Sequence, residues 1–186
     1  MFVLYILNNC NDKFTFPIMN IQTQRIRIIP LSKEQLANYS LADFSLENSL
    51  SVNTIQRIVP EFLANTITNK IMPHVNDANK DPLYFTFWTI ISKQENVMVG
   101  DICFKGEPNE HGEIEIGYGT YPNFEGKGFM TEAVGELIQW AFAQPNVQAV
   151  TAQTNPNNIA SQKILIKNSF VQYNQTNENI LWRIDK

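Results

Sequence analysis

The stretch from Glu113 to Ala143 constrains this chain most, because it changes period halfway. Glu113 to Thr120 alternates like a strand. Tyr121 to Gly128 is a turn carrying Pro122, Gly126 and Gly128. From Phe129 onward Val134, Leu137, Ile138, Ala141 and Phe142 fall on one helical face, which needs a sheet or other helices to cover it. Glycines interrupt the strand at Gly117 and Gly119, and glycine inside a strand marks a bulge or the close approach of a backbone or ligand. Gly126 and Gly128 let the chain turn tightly just before the helix. The first N–H groups of that helix have no internal acceptors and, with the helix dipole, form an anion site to which Lys127 adds charge. A glycine pair before a helix is most often only a tight turn. Glycines in the preceding strand as well point to one elongated anionic ligand along strand, loop and helix start.

The flanking sequence fills in a mixed α/β domain. Gln24 to Pro30 alternates as a half-buried strand. Ser32 and Gln35 form a capping box for a helix reaching about Phe44. Ile55, Ile58, Val59, Phe62, Leu63 and Ile67 recur at helical spacing with Pro60 among them, which predicts two short helices or a kink. Leu83 to Ser92 and Val97 to Lys105 form a hairpin across the polar turn at residues 93–96. Val147 to Thr154 is a strand, Ile159 to Lys167 a helix entered through the capping residues 155–158, and Phe170 to Tyr173 and Ile180 to Ile184 are the last strands. Residues 19–186 read as one domain. Residues 1–18 read as an N-terminal extension or an added edge strand, because the apolar run Phe2 to Leu7 is too short for a signal or a membrane span.

Charge and composition narrow the partners. The chain of 186 residues has 14 basic and 18 acidic side chains, a net charge of −4, so nucleic acid is not an expected partner. Two cysteines, Cys10 and Cys103, make no disulfide framework, and the expected compartment is the cytoplasm, with no membrane partner. His74 and His111 have no metal-site spacing, so no metal is expected.

Four ordered segments carry a family resemblance: Glu113 to Tyr118, Gly126 to Ala133, Asn158 to Ser161 and Lys167 to Phe170. Together they resemble successive motifs of the GNAT N-acetyltransferases, in the branch of the RimJ/RimL-like ribosomal-protein N-terminal acetyltransferases. The likeness runs from about Thr23 to the C-terminus. It implies a GNAT fold: a central, mostly antiparallel twisted sheet of about seven strands, splayed between the fourth (113–120) and fifth (147–154), with about four helices. It implies acetyl-CoA as cosubstrate, its pantetheine arm against the backbone of Tyr118, Gly119 and Thr120. Its pyrophosphate would sit on the N–H groups of Gly126, Lys127, Gly128, Phe129, Met130 and Thr131. Asn158 would meet the pantetheine and Ser161 the sulfur. The chain departs from the family pattern at Glu125, Met130, Ser169 and Leu165. The last stands where many relatives carry a tyrosine acid.

Direct acetyl transfer to a primary amine needs a base, an oxyanion donor and help for the departing thiolate. Glu115 is the base candidate, with Glu113 in reserve on the same face, although both also fit a solvated strand face. The oxyanion donor is a backbone N–H near Tyr118 or Gly119. Asn158 and Ser161 read equally as a helix cap. Tyr118 reads as packed, Phe85, Phe87 and Trp88 as sheet residues, and Cys103 as a small buried side chain. The acceptor would be a peptide N-terminus or a small-molecule amine, and the protein a monomer or homodimer. The competing reading is a non-catalytic acyl-CoA-binding module.

Overall fold

The computed structural model describes residues 19–186; Cys10 and the proposed extension lie outside the described residues. The strands are β1 Ile21–Gln22, β2 Ile26–Pro30, β3 Phe87–Ser92, β4 Val97–Phe104, β5 Glu113–Thr120, β6 Ala149–Thr154, β7 Val171–Gln175 and β8 Ile180–Asp185. They form one sheet in the order β1-β2-β3-β4-β5-β6-β8-β7. Every pairing is antiparallel except β5 with β6. The helices are α1 Lys33–Leu41, α2 Ser45–Ser49, α3 Glu61–Thr66, α4 Met72–Val75, α5 Phe129–Ala143 and α6 Ile159–Lys167, and a π-helical turn, Ile67–Ile71, joins α3 to α4.

The Ser32–Gln35 capping box forms in full, with Ser32 Oγ accepting from Gln35 N–H and Gln35 Oε1 from Ser32 N–H. The helix it starts ends at Leu41, short of Phe44, because Ala42 turns left-handed at φ +52°. Pro60 does not kink a helix. It is the N-cap of α3, so Ile55, Ile58 and Val59 lie in irregular chain before it. Proline suits a helix start, where its missing N–H costs nothing.

The sheet buries both faces. On one, Ile114 and Ile116 of β5 pack with Ala133, Val134 and Leu137 of α5 and Leu165 of α6. On the other, Phe87, Ile91 and Met98 pack under Leu36, Tyr39, Leu46 and Ile67 from the α1–α4 layer. Alternation along β5 sends Glu113, Glu115, Gly117 and Gly119 toward the α1–α4 side.

Candidate active site

β5 and β6 pair in register only from Glu113↔Ala149 to Ile116↔Ala152. β6 then continues against β8 through Thr154↔Ile180, while β5 continues against β4 through Gly100↔Thr120. The two strands therefore part after Ile116, the splay expected between residues 113–120 and 147–154. Lys105 N–H donates to Glu115 C=O and Tyr121 N–H to Val99 C=O, which fixes the odd-numbered residues of β5 against β4. By antiparallel alternation the backbone groups of Tyr118 and Thr120 face the gap, where no β6 residue stands in register. Gly119 points its own N–H and C=O toward β4, so Tyr118 and Thr120 are the amides that can meet a ligand there.

The turn after β5 delivers the chain to α5 through two left-handed glycines, Gly126 at φ +72° and Gly128, the N-cap, at φ +81°. A Cβ at Gly126 would meet nothing within 4 Å, so the loop surface is open. The first α5 acceptor inside the helix is Gly128 C=O, reached from Glu132 N–H at 3.2 Å, which leaves the N–H groups of Phe129, Met130 and Thr131 without helical partners. Cations gather here. Arg25 Nη2 donates to Lys127 C=O at 2.7 Å, its guanidinium lies 4.6 Å from the Phe129 ring centroid, and Nη1 is 3.6 Å from Glu132. Lys127 Nζ is 3.7 Å from Glu95, an exposed and therefore weak pair that an incoming phosphate can displace. Glu125 is exposed. Open loop, unpaired amides and local cations fit a pyrophosphate-bearing group such as coenzyme A.

Across the gap stands the α6 N-terminus. Asn158 is the N-cap, its Oδ1 accepting from Ser161 N–H at 3.0 Å. Tyr118 reaches from β5 to place its hydroxyl 2.8 Å from Ser161 Oγ and 3.2 Å from Ser161 C=O. Burial pushes this phenol above its ordinary pKa. Leu165 is fully buried and offers no chemistry. Tyr118, read from the sequence as a packed residue, thus brings a phenol to the side chain expected near the sulfur.

Glu115 Oε1 lies 2.5 Å from Lys105 Nζ, and Oε2 accepts from Gln153 Nε2 at 3.4 Å. It stands opposite Thr151, inside the zipped part of the strand pair. Glu113 is bound by Arg183 and Asn109, which hold its carboxyl below the usual carboxylate range. The structure brings Tyr118, Asn158 and Ser161 together and leaves both glutamates paired with cations at the start of β5.

A different carboxylate flanks the free end of β5 from β4. Asp101 on β4 is in register with Gly119. Its Oδ2 accepts from Tyr39 at 2.8 Å and Tyr121 at 2.7 Å, and its Oδ1 from Thr89 at 2.7 Å. Desolvation raises its pKa, against the hydroxyl hydrogen bonds and the Arg57 charge that lower it. Tyr39 and Tyr121 also line a cavity of about 430 Å³ with Ile55, Arg57, Ile58 and Phe124. Arg57 is committed to Glu47, at 2.8 and 3.3 Å. Sequence reading missed Asp101 because its three hydrogen-bond partners come from three separate segments. His74 stacks on Phe85 at 4.4 Å, Trp88 is core, and burial pushes the Cys103 thiol up to about 11. No helix among the described residues is long and apolar enough to cross a membrane.

Comparison with known proteins bears on the family and the fold. Residues 25–171 match the family described as acetyltransferase (GNAT) domain. An uncharacterised N-acetyltransferase of Bacillus subtilis (strain 168), YjdG, is 37 % identical over 98 residues, 53 % of this chain and 58 % of that protein. A second from the same organism, YnaD, is 31 % identical over 78 residues, 42 % of this chain and 45 % of that one. The chain thus spans about half the length of these curated relatives. Among solved structures, the ribosomal-protein-S5-alanine acetyltransferase from Vibrio fischeri superposes with a TM-score of 0.64 at 17 % identity, covering 90 % of this chain and 96 % of that one. RimL, a ribosomal L7/L12 α-N-protein acetyltransferase in complex with coenzyme A, gives 0.64 at 14 % identity over 90 % and 98 %. These two share the fold. With the family match covering most of its length, the chain belongs to the GNAT acetyltransferase family.

Proposed function

We propose that this protein is an acetyl-CoA-dependent N-acetyltransferase that moves an acetyl group directly to a primary amine. The observation that carries the reading is a coincidence in space: β5 leaves β6 at Ile116, and a few residues on it runs into the glycine-opened start of α5. A pantetheine arm fits the first feature and a pyrophosphate the second.

The roles divide by position. Gly126, Lys127, Gly128, Phe129, Met130 and Thr131 take the phosphates. Tyr118 and Thr120 pair through their backbones with the pantetheine, beside Gly119, and Asn158 borders it. The Tyr118 N–H is the donor for oxygen charge developing on the thioester carbonyl. The Tyr118–Ser161 hydroxyl pair serves the departing sulfur, the task Leu165 cannot perform. Glu115 remains a candidate base, but its pairing with Lys105 and its place in the zipped segment set it back from that carbonyl.

Acceptor identity follows from the same reading as a peptide N-terminus or a small aliphatic amine. Isothermal titration is expected to give saturable acetyl-CoA binding and no binding of ATP. A panel of propylamine, 1,4-diaminobutane and tetrapeptides with free alanine or serine N-termini is expected to release free coenzyme A. Equal affinity for ATP would sink the pantetheine assignment. Tight acetyl-CoA binding with no amine turned over would favour an acyl-CoA-binding module, the reading that Leu165 motivates.

A further inference from the structure

Asp101 presents a carboxylate with no cation in contact with it. Among the described residues it enters no salt bridge with lysine, arginine or histidine. Its surroundings are aromatic and hydroxylic: Tyr39 from α1, Thr89 from β3 and Tyr121 from the turn after β5. The guanidinium whose charge acts on it, Arg57, bonds Glu47 of α2 instead. Cys103, two residues along the same face of β4, is a raised and therefore neutral thiol. A carboxylate in such a setting costs folding free energy, which a purely structural role does not require.

Asp101 Oδ2 accepts from both tyrosine hydroxyls and Oδ1 from Thr89, so the carboxylate and its three hydroxyls form one hydrogen-bonded group. Asp101 is only half-buried. Its cross-strand neighbour Gly119 adds open space on this face, for a Cβ there would meet nothing within 4 Å. Gly119 also follows Tyr118, whose backbone faces the gap. Tyr39 and Tyr121 form part of the wall of the 430 Å³ cavity beyond, with Ile55, Arg57, Ile58 and Phe124.

Resting on the acetyltransferase reading above, we propose that Asp101 seats the acceptor's ammonium group between Tyr39 and Tyr121 and takes its proton. The substituent beside that nitrogen then lies in the cavity past the two rings, so the substrates are aliphatic primary amines whose neighbouring group fits among Ile55, Phe124 and Arg57. One N–H proton of the ammonium passes to the Asp101 carboxylate. The freed lone pair forms the C–N bond to the acetyl carbon, the C–S bond breaks, and its electron pair leaves on sulfur. The second N–H proton reaches that sulfur by way of the Tyr118–Ser161 hydroxyls. Asp101 returns its proton to solvent after the amide departs.

The full-length protein tests this with the best-turned-over amine of the panel above. Wild-type enzyme accepts the ammonium form, whereas Asp101→Asn can use only amine that is already neutral. At pH 7 kcat/KM of Asp101→Asn should fall about 10²–10³-fold, a general-base-sized loss. The deficit should shrink as pH rises toward the alkylamine pKa near ~10. Acetyl-CoA titration should stay within about threefold of wild type, which separates this loss from misfolding or cofactor loss. Tyr121→Phe supplies a second readout. It removes a hydrogen bond that lowers the Asp101 pKa, so the acidic limb of the kcat/KM profile should move to higher pH. A wild-type profile in Asp101→Asn, or loss of the limb in Glu115→Gln instead, overturns the assignment and leaves the acetyltransferase reading standing. A wild-type protein that acetylates no amine in the panel overturns both.

Discussion

At the residue scale the proposed site rests on a phenol whose proton burial retains. Tyr118 bonds Ser161 and its phenol is raised, so it stays protonated through neutral pH and can donate. The group it would serve is a thiolate whose parent thiol has a pKa near ~8.5, already a good leaving group. Removing the phenol should therefore cost less than removing a base. Tyr118→Phe is expected to lower kcat about tenfold while acetyl-CoA affinity, measured by titration, stays within a few-fold. An unchanged kcat would return Tyr118 to a packing role. None of this was legible at the level of single residues. Tyr118 looked like any aromatic in a strand, and Ser161, expected near the sulfur through the family resemblance, gave no sign of pairing with it, because the 42 residues between them hide their contact. Asp101 was hidden in the same way, 62 residues from Tyr39 and 20 from Tyr121. The Ser32–Gln35 box was legible because both partners fall inside one turn of chain.

At the scale of elements, the start of α5 is the most constrained piece. Gly128 occupies the N-cap at φ +81°, and a Cβ there would come within 3.7 Å of Arg25 Nη1, the side chain that ties β2 to the loop through Lys127. Left-handed backbone costs an L-residue about 1–2 kcal/mol. Gly128→Ala should lower unfolding stability by about that amount in a urea titration, and should weaken acetyl-CoA binding at least tenfold by tilting the first α5 amides. Loss of stability without loss of affinity would mean that those amides do not hold the ligand. The strand–glycine–helix order of this segment was visible in the sequence because period and punctuation are local. The brace from Arg25 was not, since 102 residues separate it from Lys127 and Arg25 reads only as the polar half of an alternating strand. Likewise, Pro60 lay in a helical apolar rhythm, and the chain resolved the conflict by starting α3 there and leaving Ile55 and Ile58 as cavity wall.

For the molecule as a whole, one gap in the sheet joins two chemically different faces. On the α5–α6 side stand open amides, glycines and the Arg25 and Lys127 cations, within a chain whose net charge is −4. On the α1–α4 side lie the Asp101 carboxylate and an aromatic cavity. An anion-bearing ligand and a cation-bearing one can then approach from opposite faces and meet between β5 and β6. The order of elements made such a sheet readable in advance, while the α1–α4 face had no motif to announce it. A ligand threading this gap bridges β5, α5 and α6, and binds only the folded chain. At a hundredfold excess over its Kd, acetyl-CoA should stabilise the fold by about 2.7 kcal/mol. For a domain of this size that shifts the thermal midpoint upward by about 5–10 °C. ATP, which has phosphates but no pantetheine to lie along Tyr118 and Thr120, should shift it by less than about 1 °C at the same concentration. Coenzyme A lacking the acetyl group should match acetyl-CoA within about 2 °C, because the acetyl end adds little contact area. Equal shifts from ATP and acetyl-CoA would mean that the loop before α5 binds phosphate by itself and that the parted strands take no part.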